Sequence, residues 1–179
     1  ANLAVVMAQS GLKVILVDTD LRRPVQHKTF GLPNRHGFTD AILNPKNDLR
    51  QHLQKTQVDN LWLLSSGSLP PNPAELLASE KMKELITVLE AEADLVLFDS
   101  PPGLVVTDAM VLGSRVDGVV VVADAGRTRT NELRILVDEL KRVRVSLFGV
   151  VLNRITVSGT GYYHYYYYND SGEKIHHRK

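Results

Sequence analysis

The stretch VILVDTD at residues 14–20 places four aliphatic residues directly before two carboxylates that flank a threonine. An apolar run that does not alternate with polar residues is typical of a strand whose two sheet faces are both covered. The stretch therefore predicts a buried strand that reaches Asp18. If the backbone stays extended beyond it, Asp18 and Asp20 lie on the same side and form a paired carboxylate site.

Similar apolar runs predict four further strands, at residues 61–64, 95–98, 119–123 and 147–152. Helical spacing of apolar residues predicts helices at residues 1–10, 73–93, 107–115 and 130–143. This alternation predicts an α/β fold with a mostly parallel, doubly wound sheet flanked by helices on both sides. Gly11 stands where a glycine commonly ends a helix. The weak periodicity of residues 24–60 predicts an irregular segment with short helices.

The composition excludes several classes of protein. The length of 179 residues suits one domain, and the contents of 44% hydrophobic and 23% charged residues exclude wholesale disorder. The net charge of +1 provides no overall field that would recruit nucleic acid or an anionic membrane. The absence of cysteine excludes disulfides, thiolate nucleophiles and cysteine zinc sites, and it suits a reducing cytoplasm.

Polar residues end four of the five predicted strands, namely Asp18, Asp99, Asp124 and Asn153. Ligands of doubly wound sheets bind beyond the carboxyl ends of the strands, so these positions are candidate site residues. Each of them can instead start a turn or cap the following helix, and we interpret Asp108 and Asp124 as caps. Carboxylates that follow apolar strands suit Mg²⁺, which takes one or two carboxylates, several waters and phosphate oxygens.

Two basic residues, Arg22 and Arg23, directly follow the acidic pair. Either of them can grip a phosphotyrosine or an acidic neighbour through two parallel hydrogen bonds. A solvated side chain is the alternative for both.

The tyrosines are confined to one segment near the end of the sequence. All of them fall within residues 162–168, namely Tyr162, Tyr163, Tyr165, Tyr166, Tyr167 and Tyr168. Such a cluster can stack on single-stranded nucleic acid, form a low-complexity end without function, or accept phosphate. We favour phosphate acceptors on a flexible tail, because no core pattern is present after residue 155 and no basic groove accompanies the cluster.

Four motifs in this order resemble the catalytic domain of the bacterial tyrosine kinases of capsule and exopolysaccharide systems. VDTDLRRP (17–24) resembles the family's Walker A′ element, and LPPNPAELLAS (69–79) resembles its connector to the next helix. FDSPP (98–102) with TDA (107–109) resembles the Walker B region, and the tyrosine cluster resembles the autophosphorylation tail. The family belongs to the P-loop class, which also contains partitioning and septum-placing ATPases.

The resemblance implies a protein-tyrosine kinase that uses ATP and Mg²⁺ and that phosphorylates tyrosines, including its own C-terminal cluster in trans. It implies that Asp18 lies near Mg²⁺ and the acceptor hydroxyl, as the base that takes the tyrosine proton. Asp20 would support the water shell of the metal, and Asp99 would hold Mg²⁺ through water. Asn153 would contact the nucleotide base, or else cap a turn.

The Walker A loop, G-x-x-x-x-G-K-[ST], does not occur in these residues. In the family this loop directly precedes the helix that opens this sequence. We therefore expect these residues to be part of a longer kinase. Residues 1–155 are then a partial P-loop kinase domain without its first strand, and residues 156–179 are a tyrosine-rich tail. We expect residues 1–179 alone to bind ATP weakly or not at all, and to leave the Walker B strand with an unpaired edge.

The resemblance also implies partners and a location. The partners are a membrane-embedded activator of the polysaccharide co-polymerase type, further copies of the kinase, a cognate tyrosine phosphatase and protein substrates. We expect no nucleic-acid partner, and a location in the cytoplasm at the inner face of the membrane, through the activator or a missing N-terminal transmembrane part. Two alternatives stay open, a partitioning-type P-loop ATPase and a non-catalytic module that presents phosphorylatable tyrosines.

Overall fold

Strands and helices alternate along the chain in the computed structural model, which describes residues 1–43 and 49–155. The strands are β1 (Val14–Asp18), β2 (Gln54–Lys55), β3 (Leu61–Leu64), β4 (Leu95–Asp99), β5 (Val119–Asp124) and β6 (Leu147–Asn153). The helices are α1 (Asn2–Gln9), α2 (Gln26–Thr29), α3 (Phe38–Leu43), α4 (Pro73–Ala78), α5 (Glu80–Glu92), α6 (Asp108–Gly113) and α7 (Thr130–Arg142), and a 3₁₀ turn spans Leu49–Gln51.

Four of the strands form one sheet, in the order β2-β3-β1-β4. β1 pairs in parallel with β3 on one side and with β4 on the other, whereas β2 pairs antiparallel with β3. The parallel pairing brings the carboxyl ends of β1 and β4 to the same edge, where Asp18 is directly opposite Asp99. The predicted mostly parallel sheet flanked by helices is confirmed. The short strand β2 was not predicted, because two residues carry no recognisable pattern.

Helices cover both faces of β1, which explains why its sequence is apolar at successive positions. All five residues of the strand are buried. Val17 packs in a cluster with Phe38 of α3 and Met82 of α5. Leu16 packs on the opposite face, in a cluster with Ala4 of α1.

β5 and β6 form a separate parallel pair, so the single continuous sheet that the five apolar runs predict is not seen. Val121 of β5 packs with Leu140 of α7, whereas Val122 is 61% exposed. Within residues 1–43 and 49–155, β4 has a hydrogen-bonded neighbour on one side only, and no strand joins the two sheets. The unpaired edge of β4 agrees with the expectation for the Walker B strand.

The single helix predicted at residues 73–93 is wrong, because the structure divides it at Ser79. The backbone of Ser79 is extended (φ −67°, ψ 158°), and its hydroxyl accepts a hydrogen bond from the Met82 N–H. A serine that accepts in this way is an N-cap, so α5 begins anew after α4. The predicted end of α1 is confirmed, since Gly11 follows that helix with a φ of +98°.

The predicted tail at residues 156–179, with all six tyrosines, lies outside the described residues. Residues 44–48 of the predicted irregular segment also lie outside the described residues. Within the described ranges, no helix combines the length and the apolar character that crossing a bilayer requires.

Candidate active site

Two carboxylates meet at the carboxyl edge of the main sheet. Asp18 ends β1, Asp99 ends β4, and the parallel register places them opposite each other. The buried Thr19 fixes this arrangement, since its backbone N–H and its hydroxyl both donate to the Asp99 carbonyl oxygen, at 2.9 and 2.6 Å. The ends of the two strands are therefore held together just beyond the ladder.

The Asp18 side chain is completely buried. Its Oδ2 accepts hydrogen bonds from the backbone N–H groups of Val25 and Gln26, at 3.1 and 3.0 Å. Its Oδ1 is buried without a hydrogen-bond partner among the described residues. Burial raises the pKa of Asp18 to about 6, the Gln26 N–H opposes this rise, and the nearby Asp99 charge adds to it. Such a carboxylate is suited to hold a cation or to take up a proton.

Gln26 contacts both of these carboxylates. Its side-chain Nε2 donates to Asp99 Oδ2 at 2.7 Å, while its backbone N–H donates to Asp18. The Gln26 side chain is buried, and its Oε1 has no hydrogen-bond partner in the part of the chain that the structure describes. Gln26 opens α2, inside a segment that its sequence marks only as irregular, so the sequence carried no signal for it.

Asp20 lies beyond the end of β1 and begins a turn. Its Oδ1 accepts hydrogen bonds from the backbone N–H groups of Arg22 and Arg23, at 3.2 and 2.9 Å. A carboxylate that accepts from amides two and three residues ahead competes with extended structure and favours a turn. The regular strand ends at Asp18, and the carboxylate opposite Asp18 in the sheet register belongs to Asp99. The role of Asp20 in the metal's water shell stays a prediction.

Arg22 forms a two-point ion pair with Asp108. Arg22 Nε donates to Asp108 Oδ2 at 2.8 Å, and Arg22 Nη2 donates to Asp108 Oδ1 at 3.0 Å. Asp108 is completely buried and is the first residue of α6. The predicted pairing of Arg22 with an acidic neighbour is thus confirmed. The interpretation of Asp108 as a cap alone is wrong, because its carboxylate joins α6 to the loop that follows β1.

The other two strand-end residues, Asp124 and Asn153, lie opposite each other in the smaller sheet. Asn153 Oδ1 accepts a hydrogen bond from the N–H of the following residue, Arg154, at 2.9 Å. Asp124 Oδ2 lies 3.3 Å from Arg154 Nη1 and does not cap α7, which begins after Arg129. The contact of Asn153 with a nucleotide base stays a prediction.

The residues at the edge of the main sheet fit a hard divalent cation. Two buried oxygens, Asp18 Oδ1 and Gln26 Oε1, lack partners within the described residues, and unpaired buried oxygens of this kind call for a ligand or a water. Mg²⁺ accepts oxygen ligands and keeps several waters when only one or two carboxylates are available. In residues 1–43 and 49–155 no three His, Cys, Asp or Glu side chains group as a metal site. The arrangement therefore suits a partly hydrated Mg²⁺.

Known proteins resemble this chain over most of its length. The family described as AAA domain matches residues 1–150. The tyrosine-protein kinase YwqD of Bacillus subtilis (strain 168) is 42% identical over 171 residues, which cover 96% of this chain and 72% of that protein.

Solved structures share the fold. The crystal structure of the chimerical protein CapA2B2 has a TM-score of 0.82 and 36% sequence identity, and the match covers 86% of this chain and 68% of that one. The septum site-determining protein MinD from Pyrococcus horikoshii OT3, complexed with Mg-ADP, has a TM-score of 0.71 and 24% identity, over 88% of this chain and 64% of that one. The likeness to MinD shows the fold alone. The family match and the YwqD relationship show that this chain belongs to the bacterial tyrosine kinases, transferases built on a nucleotide-binding P-loop domain.

Proposed function

We propose that this protein transfers the γ-phosphoryl group of ATP to tyrosine hydroxyls at the edge where Asp18 and Asp99 meet. The observation that carries the proposal is this pair of carboxylates in register, one of them completely buried. Ligands of doubly wound sheets bind beyond the carboxyl ends of the strands, which is where the pair lies. The relationship to a named tyrosine-protein kinase supports the reaction type.

Asp18 and Asp99 are the residues proposed to hold Mg²⁺, directly or through its waters. When bound, Mg²⁺ neutralises charge on the β- and γ-phosphates. Two carboxylates without a cation repel a triphosphate, so nucleotide is expected to bind only when the site holds the metal. Asp20 is proposed to support the water shell from the adjoining turn, and Asn153 is proposed to contact the nucleotide base.

Asp18 is further proposed to accept the proton of the attacking tyrosine. A tyrosine hydroxyl has a pKa of about 10, so a proton acceptor helps the reaction near neutral pH. Before metal binds, a carboxylate with a pKa of about 6 is a stronger base than an ordinary aspartate, whose pKa is 3.8. Positioning and charge neutralisation still supply most of the catalysis in phosphoryl transfer.

The proposed acceptors include the six tyrosines within residues 162–168, presented in trans to another copy of the kinase. Each added phosphate brings a charge of about −1.5 to −2. Several phosphates would make this segment strongly anionic and could separate neighbouring copies. Phosphorylation of the cluster is therefore proposed as a regulatory event as well as a reaction.

The wider setting is proposed from the family resemblance. It comprises regulation of capsular or exopolysaccharide synthesis and export, a membrane-embedded activator of the co-polymerase type, a cognate tyrosine phosphatase and other protein substrates. The proposed location is the cytoplasm at the inner face of the membrane. The proposed division is a kinase domain at residues 1–155 and a tail at 156–179, with the Walker A loop encoded upstream of Ala1.

The test of this function uses the chain extended by the residues encoded upstream of Ala1, incubated with Mg²⁺ and ATP. Mass spectrometry should locate phosphate on the tyrosines of residues 162–168. Asp18→Asn and Asp99→Asn should each slow labelling by about 10²-fold or more, because metal positioning or proton acceptance is lost. The matched control is Asp59→Asn, which removes the same charge from an exposed position before β3 and should leave the rate unchanged.

Three results would contradict parts of the proposal. Phosphate on serine or threonine only would overturn the tyrosine kinase assignment for this chain. ATP hydrolysis without phosphotyrosine would favour a partitioning-type ATPase. Labelling at the wild-type rate in both Asp variants would show that the site lies elsewhere.

A further inference from the structure

We infer that Gln26 is a positioning residue that holds Asp18 and Asp99 together as a pair able to bind a divalent cation. The inference rests on the proposed function, in which these two carboxylates hold the metal. It concerns a residue that contacts both carboxylates through two different N–H groups.

The contacts of Gln26 are specific to the carboxylate oxygens. Its backbone N–H donates to Asp18 Oδ2 at 3.0 Å, and its side-chain Nε2 donates to Asp99 Oδ2 at 2.7 Å. The residue is 6% exposed, so these hydrogen bonds are shielded from water. Charge-assisted hydrogen bonds of this kind are shorter and stronger than bonds between neutral groups.

Electrostatics explains why the pair needs such a donor. Asp18 and Asp99 occupy directly opposite positions on neighbouring strands, and their charges repel each other. In the absence of a donor, the Asp99 carboxylate would be free to rotate away from Asp18. The Gln26 amide fixes the orientation of Asp99, while the backbone of the same residue fixes Asp18.

The oxygen of the Gln26 side-chain amide indicates that a ligand binds beside it, since packing alone does not explain its burial. A carboxylate only accepts hydrogen bonds, so the contact with Asp99 requires that Nε2 faces it, and this fixes the place of Oε1. Oε1 is buried and, like Asp18 Oδ1, has no partner in residues 1–43 and 49–155. A buried amide oxygen without a partner lowers stability. A water bound to the metal would donate to it.

The experiment measures Mn²⁺ binding to the protein without nucleotide, by the loss of the free-ion electron paramagnetic resonance signal. Mn²⁺ is used because oxygen ligands that suit Mg²⁺ also suit Mn²⁺. Gln26→Met keeps the length of the side chain and removes the amide, and it should weaken binding by about tenfold or more, as loss of a partner that orients a metal ligand typically does. Gln26→Asn keeps the amide but shortens its reach, and the same loss is expected.

Two controls separate this role from a structural one. Gln57→Met removes a comparable donation, from Gln57 Nε2 to the Phe30 carbonyl oxygen at 3.2 Å, outside the site, and should leave Mn²⁺ affinity unchanged. Asp99→Asn tests the metal site itself and should weaken binding. Weaker binding in Asp99→Asn with wild-type affinity in both Gln26 variants overturns the inference alone. Unchanged binding in Asp99→Asn overturns the metal assignment of the proposed function and the inference with it.

A kinetic readout adds an independent check in the chain extended upstream of Ala1. Gln26→Met should raise the Mg²⁺ concentration needed for half-maximal labelling, while the rate at saturating Mg²⁺ falls much less. An equal fall in rate at every Mg²⁺ concentration would contradict a positioning role toward the metal.

Discussion

At the scale of single residues, the buried carboxyl group of Asp18 links the proposed chemistry to the stability of the fold. Its pKa in the folded protein is about 6, above the ordinary value of 3.8, so the folded state binds this proton more tightly than the unfolded state does. The stabilisation from the bound proton is complete below about pH 4 and is lost as the pH rises through about 6. Ionised Asp18 therefore weakens the fold at neutral pH.

Asp18→Asn should consequently stabilise the protein at neutral pH while it removes the proposed activity. The gain in the free energy of unfolding should be roughly 1–3 kcal/mol at about pH 7, since one pKa unit corresponds to about 1.4 kcal/mol. The gain should shrink as the pH falls toward the ordinary pKa of 3.8, below which the carboxyl group becomes protonated in both states. Urea titrations across this pH range would measure it, with the exposed Asp59→Asn as control. A variant that is less stable than the wild type at neutral pH would contradict the argument.

Sequence reasoning identified Asp18 and Asp99 because each directly follows a local apolar pattern, and parallel strands bring such ends to one edge. The contacts of Thr19, Gln26 and Asp108 gave no comparable signal, although Asp108 belongs to the recognised TDA motif (107–109). Each of their contacts at the site joins two residues that are far apart in the sequence, with separations of 80, 73 and 86 positions. Contacts of that range depend on the folded arrangement of loops, which no spacing rule predicts.

At the scale of the elements, the observed strands coincide closely with the apolar runs. Each strand whose run precedes an Asp or Asn extends to include that residue. The helices were less predictable, because periodicity continues across a break. Residues 73–93 keep helical spacing, yet Ser79 separates α4 from α5 by capping the second helix. A capping hydroxyl competes with helix continuation through one local hydrogen bond, which periodicity alone does not reveal.

Ser79→Ala should destabilise the protein by about 1 kcal/mol, because the Met82 N–H loses its acceptor at the start of α5. Chemical denaturation would measure the change. Ser114→Ala is the matched control, since the hydroxyl of Ser114, which follows α6, donates to the Val111 carbonyl oxygen within that helix and caps no N-terminus. If the two variants lost equal stability, the capping role of Ser79 would be wrong.

At the scale of the whole molecule, the two sheets expose apolar surface within the described residues. Every residue of β4 is only half-buried, although four of its five residues are apolar. On β5 and β6, Val122, Phe148 and Leu152 are all more than half exposed. Runs that are apolar throughout are typical of strands covered on both faces, so we expect a further parallel strand at the edge of β4. The sequence predicted burial of these strands, but an apolar run does not specify its neighbours, so the division into two sheets was not predicted.

This arrangement leads to a prediction for residues 1–179 expressed alone. Phosphate binding in the P-loop class depends on backbone amides at the start of a helix, and the carboxylates of Asp18 and Asp99 by themselves repel a triphosphate. We therefore expect ATP to leave the melting temperature of residues 1–179 at its value in Mg²⁺ alone. We also expect this chain to aggregate more readily than the upstream-extended form, because of its exposed strand edge. The extended form should melt higher and should gain about 2.7 kcal/mol at a hundredfold excess of nucleotide over its dissociation constant. Differential scanning calorimetry of both forms, with and without Mg²⁺ and ATP, would measure these shifts. A gain of that size for residues 1–179 would show that the upstream loop is dispensable for nucleotide binding, and the proposed division of the kinase domain would then be wrong.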